Sequence, residues 1–399
     1  MQRRYFVTGA LAAAVAAIPS AAAPNCAKNP NAKACRTPTP TRTATATSTA
    51  TLVPTETPTE TPTDPNSATV TPTSSSTGGG PTATPTETPT GTAVPSSWTD
   101  VGEIPQIATA TTTWGKTISN LTVFNGKVFL GHGDYTQNTP NPCHLLAFSP
   151  SSGLVDYGTV NSVALLDMNV IGDQLAVPFT DLAVGTYPSM GFLHKDDTLE
   201  IIGGGATPRP WHLYGSALFN GQRYISGSDF ETATTDARGV WRDDNGTWVD
   251  SNFDPNSYYT GAAGRVYGLF VYNNTLYASL SGSFVKSTDG ENWTSAGSGP
   301  GRIRKPLPFN GIIYYTTTDA GAGSGALYSF NGTPRLIKSP IWDFTVGDDG
   351  SMYILGTDGK ILDGTLSFVV DAPANARSIA VMGGSMYVGT TDSHLFIGA

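Results

Sequence analysis

The chain has 399 residues, with 22 Lys and Arg against 31 Asp and Glu, a formal net charge of −9 at pH 7, and only 13% charged residues. No basic stripe runs along it, which excludes nucleic acid as the main partner. Beyond the N-terminal segment, no stretch is long and apolar enough to span a bilayer as a helix.

Residues 1–23 read as an export signal. Arg3 and Arg4 precede an apolar run from Tyr5 to Ile18, and small residues from Ser20 to Ala23 follow. That order gives a charged region, an apolar region and a cleavage site. Arg3-Arg4-Tyr5-Phe6-Val7 resembles the twin-arginine export motif, and the general secretory route fits the same residues. The expected location is extracytoplasmic, secreted or held at the cell surface. In segment 24–36, Cys26 and Cys35 form a candidate disulfide for an oxidising compartment. Cys143 is then left as a buried thiol. Residues 37–96 are almost entirely Thr, Pro, Ser and Ala. They hold too few large apolar side chains to offset the entropy of ordering, so a disordered, extended linker is expected.

Residues 97–399 carry nearly all the aromatic and β-branched apolar residues and suffice for a substantial core. A short phrase recurs there, a tight turn followed by an alternating apolar strand. Copies begin at Asn125, Gly172, Asn220, Asn273, Asn310, Asp349 and Gly383, so the period runs from 34 to 53 residues. A strand-built repeat of that length predicts an all-β fold, a β-propeller with one blade per copy. Seven blades are expected, with six or eight as alternatives. Asn-Gly between alternating strands marks a hairpin, because both turn positions favour positive φ. The last copy supplies three strands before the chain ends. The segment from Trp98 to Val101 is expected to complete that blade and remove the free sheet edge.

The turns join the first and second strand of each copy, so the segments after the second strand emerge at the opposite end. In the first three copies these are long: 133–144, 179–191 and 228–239. Long loops on a rigid scaffold are where function concentrates. The candidate ligand-binding residues are therefore Asp134, Tyr135, Asn138, Asp181, Tyr187, Trp211 and Asp229. Aromatic rings beside Asp and Asn suit stacking and hydrogen bonding to sugar rings. Six copies end their second strand on an aspartate: Asp134, Asp181, Asp229, Asp319, Asp358 and Asp392. The first reading is a turn residue whose carboxylate accepts nearby backbone N–H groups. The alternative is a ring of carboxylates holding calcium, which needs six to eight close oxygens. No cofactor or metal site is assigned.

No residue is assigned to catalysis. The nucleophile-elbow, zinc-protease and phosphate-loop motifs are absent. Cys143 and His144 are adjacent, and adjacent strand residues point to opposite faces. Ser287-Thr288-Asp289-Gly290-Glu291-Asn292-Trp293 resembles the Asp box of sialidases, one residue short. In that family the box is a structural hairpin. Glycosidase chemistry requires a carboxylate pair across the bond to be broken, or a tyrosine with an arginine cluster, and the few arginines here match no sialidase pattern.

Gly131-His132-Gly133-Asp134-Tyr135-Thr136-Gln137-Asn138-Thr139 resembles a segment of propeller domains in phage minor tail proteins and their bacterial relatives. Pro178 to Asp181 and His212 with Asn220-Gly221 extend the similarity across residues 114–230. The resemblance implies a propeller used for surface contact and assigns no catalytic residues. The resulting expectation is an exported, non-enzymatic propeller that binds a glycan or protein on an extracellular surface. A sialidase-like glycosidase and a phage tail or fibre component are the alternatives.

Overall fold

The computed structural model describes residues 94–134, 142–180, 189–203, 210–229, 238–253, 265–280, 282–300, 302–317 and 323–399. The expected signal, the Cys26 and Cys35 pair and residues 37–93 of the linker lie outside them, as do Tyr135, Asn138, Asp181, Tyr187 and Asp319.

Asn125 and Gly126 both take positive φ, 50° and 69°, and the chain reverses between Phe124 and Lys127. Asn220-Gly221 and Asn310-Gly311 do the same. Asn tolerates this region and Gly has no Cβ to clash there, so these dipeptides set the register of each hairpin.

The first strand, β1 (Trp98–Glu103), leads into two single helical turns, α1 (Pro105–Ala108) and α2 (Thr113–Lys116). Four-stranded antiparallel sheets then follow one another in chain order. The first holds β2 (Asn120–Phe124), β3 (Lys127–Gly131), β4 (Cys143–Ser149) and β5 (Gly153–Val160). The second holds β6 (Asn169–Ile171), β7 (Gln174–Pro178), β8 (Ser189–Leu193) and β9 (Leu199–Gly203). The third holds β10 (Pro210–Phe219), β11 (Gln222–Asp229), β12 (Arg238–Asp244) and β13 (Thr247–Asp250). The fourth holds β14 (Gly268–Tyr272), β15 (Thr275–Leu280), β16 (Ser283–Ser287) and β17 (Trp293–Ser298).

Next comes a seven-stranded sheet: β18 (Arg304–Phe309), β19 (Ile312–Thr316), β20 (Gly325–Phe330), β21 (Pro334–Val346), β22 (Met352–Gly356), β23 (Lys360–Asp363) and β24 (Phe368–Asp371). The structure therefore has six sheets where the repeat predicts seven blades. The cause is β21, which runs through 13 residues without a break. Pro334 to Ile341 pair with β20, and Ile341 to Val346 pair with β22. The fourth strand of one repeat thus continues as the first strand of the next.

In the last sheet β25 (Ala376–Met382), β26 (Ser385–Thr390) and β27 (His394–Gly398) pair in sequence, and β1 adds to β27 with Trp98 opposite Gly398. Trp98 also donates its indole N–H to the Asp371 carbonyl at 2.9 Å. The pairing leaves β27 no free edge that could template another chain.

The first strand of each repeat lies against the next: β2 on β6, β6 on β10, β10 on β14, β14 on β18, β18 on β21, β21 on β25, and β25 back on β2. Side-chain bonds bridge several of these neighbours. Asn120 donates to the Leu166 carbonyl at 3.0 Å, Asn169 to Ser216 at 3.0 Å, and Ser378 to Ile118 at 2.7 Å. Between sheets lie apolar layers, such as Phe219, Tyr224 and Val240 packed with Leu269, Leu276 and Trp293. Each fully buried Leu or Phe side chain in such a layer contributes about 1.5–3 kcal/mol. An all-β ring of small twisted sheets packed face to face is consistent with a β-propeller.

Candidate functional site

The start of each first strand pairs with the end of the second, as Asn120 with Gly131, Gly268 with Ser279 and Ala376 with Thr390. Segments entering the first strands and segments leaving the second strands therefore share one end of the domain. Two features occur there.

The first is a cluster of charged and aromatic side chains at the mouth of the ring. Arg304 opens β18, and Asp167 lies just before β6. The Nε–H of Arg304 donates to Asp167 Oδ1 at 2.7 Å, and its Nη2 donates to the Leu166 carbonyl at 2.5 Å. Both side chains are buried. Arg302 stands 3.8 Å from Asp167 Oδ2, with its guanidinium 5.1 Å from the Tyr214 ring centre and 5.5 Å from that of Tyr267. Arg265 donates to the Tyr214 hydroxyl at 2.8 Å. Tyr214 and Tyr267 occupy corresponding places on adjoining repeats, with ring centres 5.6 Å apart.

On the other side of the mouth, Lys305 reaches Asp343 at 2.9 Å and the Ile379 carbonyl at 3.2 Å. Lys305 holds φ at 49°, a left-handed conformation that costs about 1–3 kcal/mol for a side chain of this kind. Its two bonds offset that cost. Asp343 also accepts the Ile379 N–H at 3.0 Å. Arg377 lies over the Trp342 ring at 4.1 Å and donates to the Gly323 carbonyl at 3.1 Å. Burial, reinforced by the cation of Arg304 and opposed by Asp343, pushes the Arg377 guanidinium down to about 10. Among Asp167, Asn169, Ser216, Gly268 and Arg304 lies a small cavity of about 10 Å³, at the lower limit for one water.

The second feature is a cavity of about 680 Å³ between the α1–α2 segment and the β3–β4 side of the first sheet. Thr112 caps α2: its Oγ accepts the Gly115 N–H at 3.0 Å and donates to Asp134 Oδ2 at 2.6 Å. Gly133 has φ 113°, and a Cβ there would stand 2.3 Å from the Val163 carbonyl oxygen and 2.7 Å from Cys143 Sγ. Glycine alone lets the backbone pass so close, and this sets Asp134 on the cavity wall. His144 Nδ1 lies 2.9 Å from Asp156 Oδ2, and Gln106 donates to the same oxygen at 3.2 Å. Burial pushes the Asp156 carboxyl up, but the Gly158 amide, His144 and Gln106 outweigh it and hold the group below the usual aspartate range. His132 is buried and pushed down to about 4, and burial pushes the Cys143 thiol up to about 12.

Of the residues expected from the sequence, Asp134 lies on the cavity wall. Asp229 is the register partner of Pro210, next to Trp211, so the backbone brings this pair to the same end of the domain. Asp358 and Asp392 serve as local acceptors, from the Lys360 N–H and the Asn375 amide. Ser287 to Trp293 form a closed turn. The Asp289 carboxylate accepts the N–H groups of Glu291 and Asn292 at 2.9 and 2.7 Å, and Trp293 is buried with its indole N–H on the Ser251 carbonyl. Sequence reasoning missed Asp167, Arg304, Lys305, Asp343 and Arg377. Their signal was positional: each lies about five to seven residues before a turn, at the start of a first strand, where the fold converges on one axis.

No protein-family model matches the chain, and no curated protein matches it. Among solved structures, the chain is similar to virginiamycin B lyase from Staphylococcus aureus, at 11% identity over 76% of this chain and 99% of that one, with a TM-score of 0.50. It is also similar to BamB from Moraxella catarrhalis, at 14% identity over 70% and 82% of the two chains, with a TM-score of 0.38. The computationally designed Ika8 protein aligns at 10% identity over 71% and 96%, with a TM-score of 0.40. The first of these likenesses supports the β-propeller fold. At such identity it carries the fold alone.

Proposed function

We propose that the chain is an exported, non-enzymatic binding module, a seven-bladed β-propeller whose elaborated end takes a saccharide from an extracellular surface. Blade seven on this count is β25 to β27 with β1, and the long β21 serves two blades. The observation that carries the reading is the 680 Å³ cavity at that end. Its volume lies in the range of small-molecule sites. Its wall alternates an apolar surface, Ile107 and Val163, with hydrogen-bonding groups, Thr112, Asp134, Gln106 and His144. A sugar ring presents the same alternation of C–H faces and hydroxyls.

The test is a glycan array probed with the full chain and with Thr112→Val combined with Asp134→Asn. Binding that the double variant loses by about tenfold or more supports the reading, since each hydrogen bond to a charged group is worth about 1.5–3 kcal/mol. Equal signals from both proteins, or none from either, remove it. Release of sugar from the array would reassign the domain as a glycosidase. Recovery of the protein in purified virus particles would reassign it as a tail component.

A further inference from the structure

The cluster at the mouth of the ring is a separate feature from the cavity, and its chemistry points elsewhere. Arg377 is 5% exposed, yet its bonding among the described residues is one N–H on the Gly323 carbonyl and a stack on Trp342. A guanidinium carries five N–H donors, and burying it without a carboxylate is costly. The nearby carboxylate is already engaged: Asp343 Oδ2 receives both the Lys305 ammonium and the Ile379 amide. Arg304 is turned to Asp167. Arg377 thus keeps a buried guanidinium over the Trp342 ring with one protein acceptor, in the field of the neighbouring Arg304 cation. All this occurs in a chain with a formal net charge of −9.

A stacked, fixed guanidinium is the group that recognises a planar or tetrahedral oxyanion by paired hydrogen bonds. We infer that the mouth of the ring is an oxyanion-binding site in which Arg377, stacked on Trp342, is the principal donor. The ligand is a carboxylate, phosphate or sulfate group, free or carried on a larger molecule. The inference does not depend on saccharide binding in the cavity, which lies against different residues.

Isothermal titration of the full chain with acetate, glucuronate, inorganic phosphate and sulfate tests it. Saturable binding of at least one anion is expected, weakened about tenfold or more in Arg377→Gln, as loss of a charge-assisted pair requires. Arg377→Lys should retain part of the affinity. Lys360→Gln, which removes an exposed cation whose partner is Asp371 and not a member of the cluster, should retain all of it. The order of affinities separates a sugar-acid carboxylate from a phosphate or sulfate ester. Should Arg377→Gln fail to fold, the wild-type chain is treated with an arginine-selective dicarbonyl, and protection of Arg377 by the anion is read by peptide mass. No saturable binding by any of the four anions overturns the site. So does unchanged binding in Arg377→Gln, or labelling of Arg377 that the anion does not alter.

Discussion

Arg304 crosses the ring to reach Asp167: its Nε–H lies 2.7 Å from a carboxylate 137 residues earlier in the chain. The strands that these residues precede or open, β6 and β18, are not neighbours; β10 and β14 lie between them. The pair therefore ties opposite sides of the channel, where the backbone ladders tie only adjoining strands. Neither side chain is more than 7% exposed. A buried pair gains little net stability as a whole, because desolvation consumes most of the attraction, but removing one member strands the other.

Asp167→Ala should accordingly cost about 3–5 kcal/mol. Asp167→Leu with Arg304→Met should recover most of that loss, since two apolar side chains fill the same space without a buried charge. Urea unfolding of wild type, Asp167→Ala and the double variant decides the matter. A single variant as stable as wild type would show that the pair is solvated and does not brace the channel.

The sequence made the hairpins legible because their chemistry is local. Asn125-Gly126 and Asn310-Gly311 need only their own φ angles to act. The strand that completes the last sheet could be inferred because the last repeat supplies three strands and Trp98 to Glu103 precede the first repeat. The continuity of β21 was not legible, since Lys338-Ser339-Pro340-Ile341 looks like a break between repeats. The charged mouth escaped for a different reason. Asp167, Tyr214, Tyr267, Arg304 and Arg377 share a place in the repeat but not a single residue type, so no one-residue pattern groups them. The long loops drew attention instead, and most of the residues nominated there are outside the described structure. Asp134 is the nominated residue whose side chain has a partner in the site, Thr112.

His132 gives the domain a pH dependence of known sign. In the unfolded chain its imidazole titrates near 6.5. In the folded chain burial lowers it to about 4, with His144's charge adding and the bond to the His144 carbonyl opposing. The unfolded state therefore binds the proton first. The stability held by neutral His132 is complete above pH 6.5 and is lost as pH falls from 6.5 to 4, by about 3 kcal/mol. His132→Gln, which can still donate to that carbonyl, should be flatter across this window. Urea midpoints at pH 7.5 and 4.5 decide the matter, and equal slopes for the two proteins would show that His132 titrates normally.

Cys143 should be inert in the folded protein. Burial pushes its thiol up to about 12, and its Sγ packs within the first sheet near the His132 carbonyl, at 3.7 Å. The thiolate is the reactive species, so at neutral pH almost none is present. In a Cys26→Ser and Cys35→Ser background, a thiol-reactive dye should label Cys143 only at the rate of unfolding and fully in denaturant. Rapid labelling of the native protein would mean that the cavity gives access to the thiol.

Gly290 separates two costs that are usually entangled. It sits in the turn between Ser287 and Trp293 with φ at 84°, and a Cβ there would stand 2.0 Å from the Tyr224 hydroxyl oxygen and 2.7 Å from Cζ. Gly290→Ala must meet the left-handed penalty, about 1–2 kcal/mol, and an overpacking penalty of about 1–3 kcal/mol against Tyr224, which is buried in the neighbouring sheet. Tyr224→Phe removes the nearest clashing atom but leaves φ unchanged. Combined with Gly290→Ala it should return part of the loss, and the unrecovered remainder measures the backbone strain plus the residual contact with the ring. The turn then acts as a fixed spacer between two sheets, with Asp289 ordering its amides and Gly290 admitting the tyrosine. If Gly290→Ala unfolds at the same urea concentration as wild type, the turn yields to the added methyl, and the spacing of these sheets is set by the Leu269, Leu276 and Trp293 layer instead.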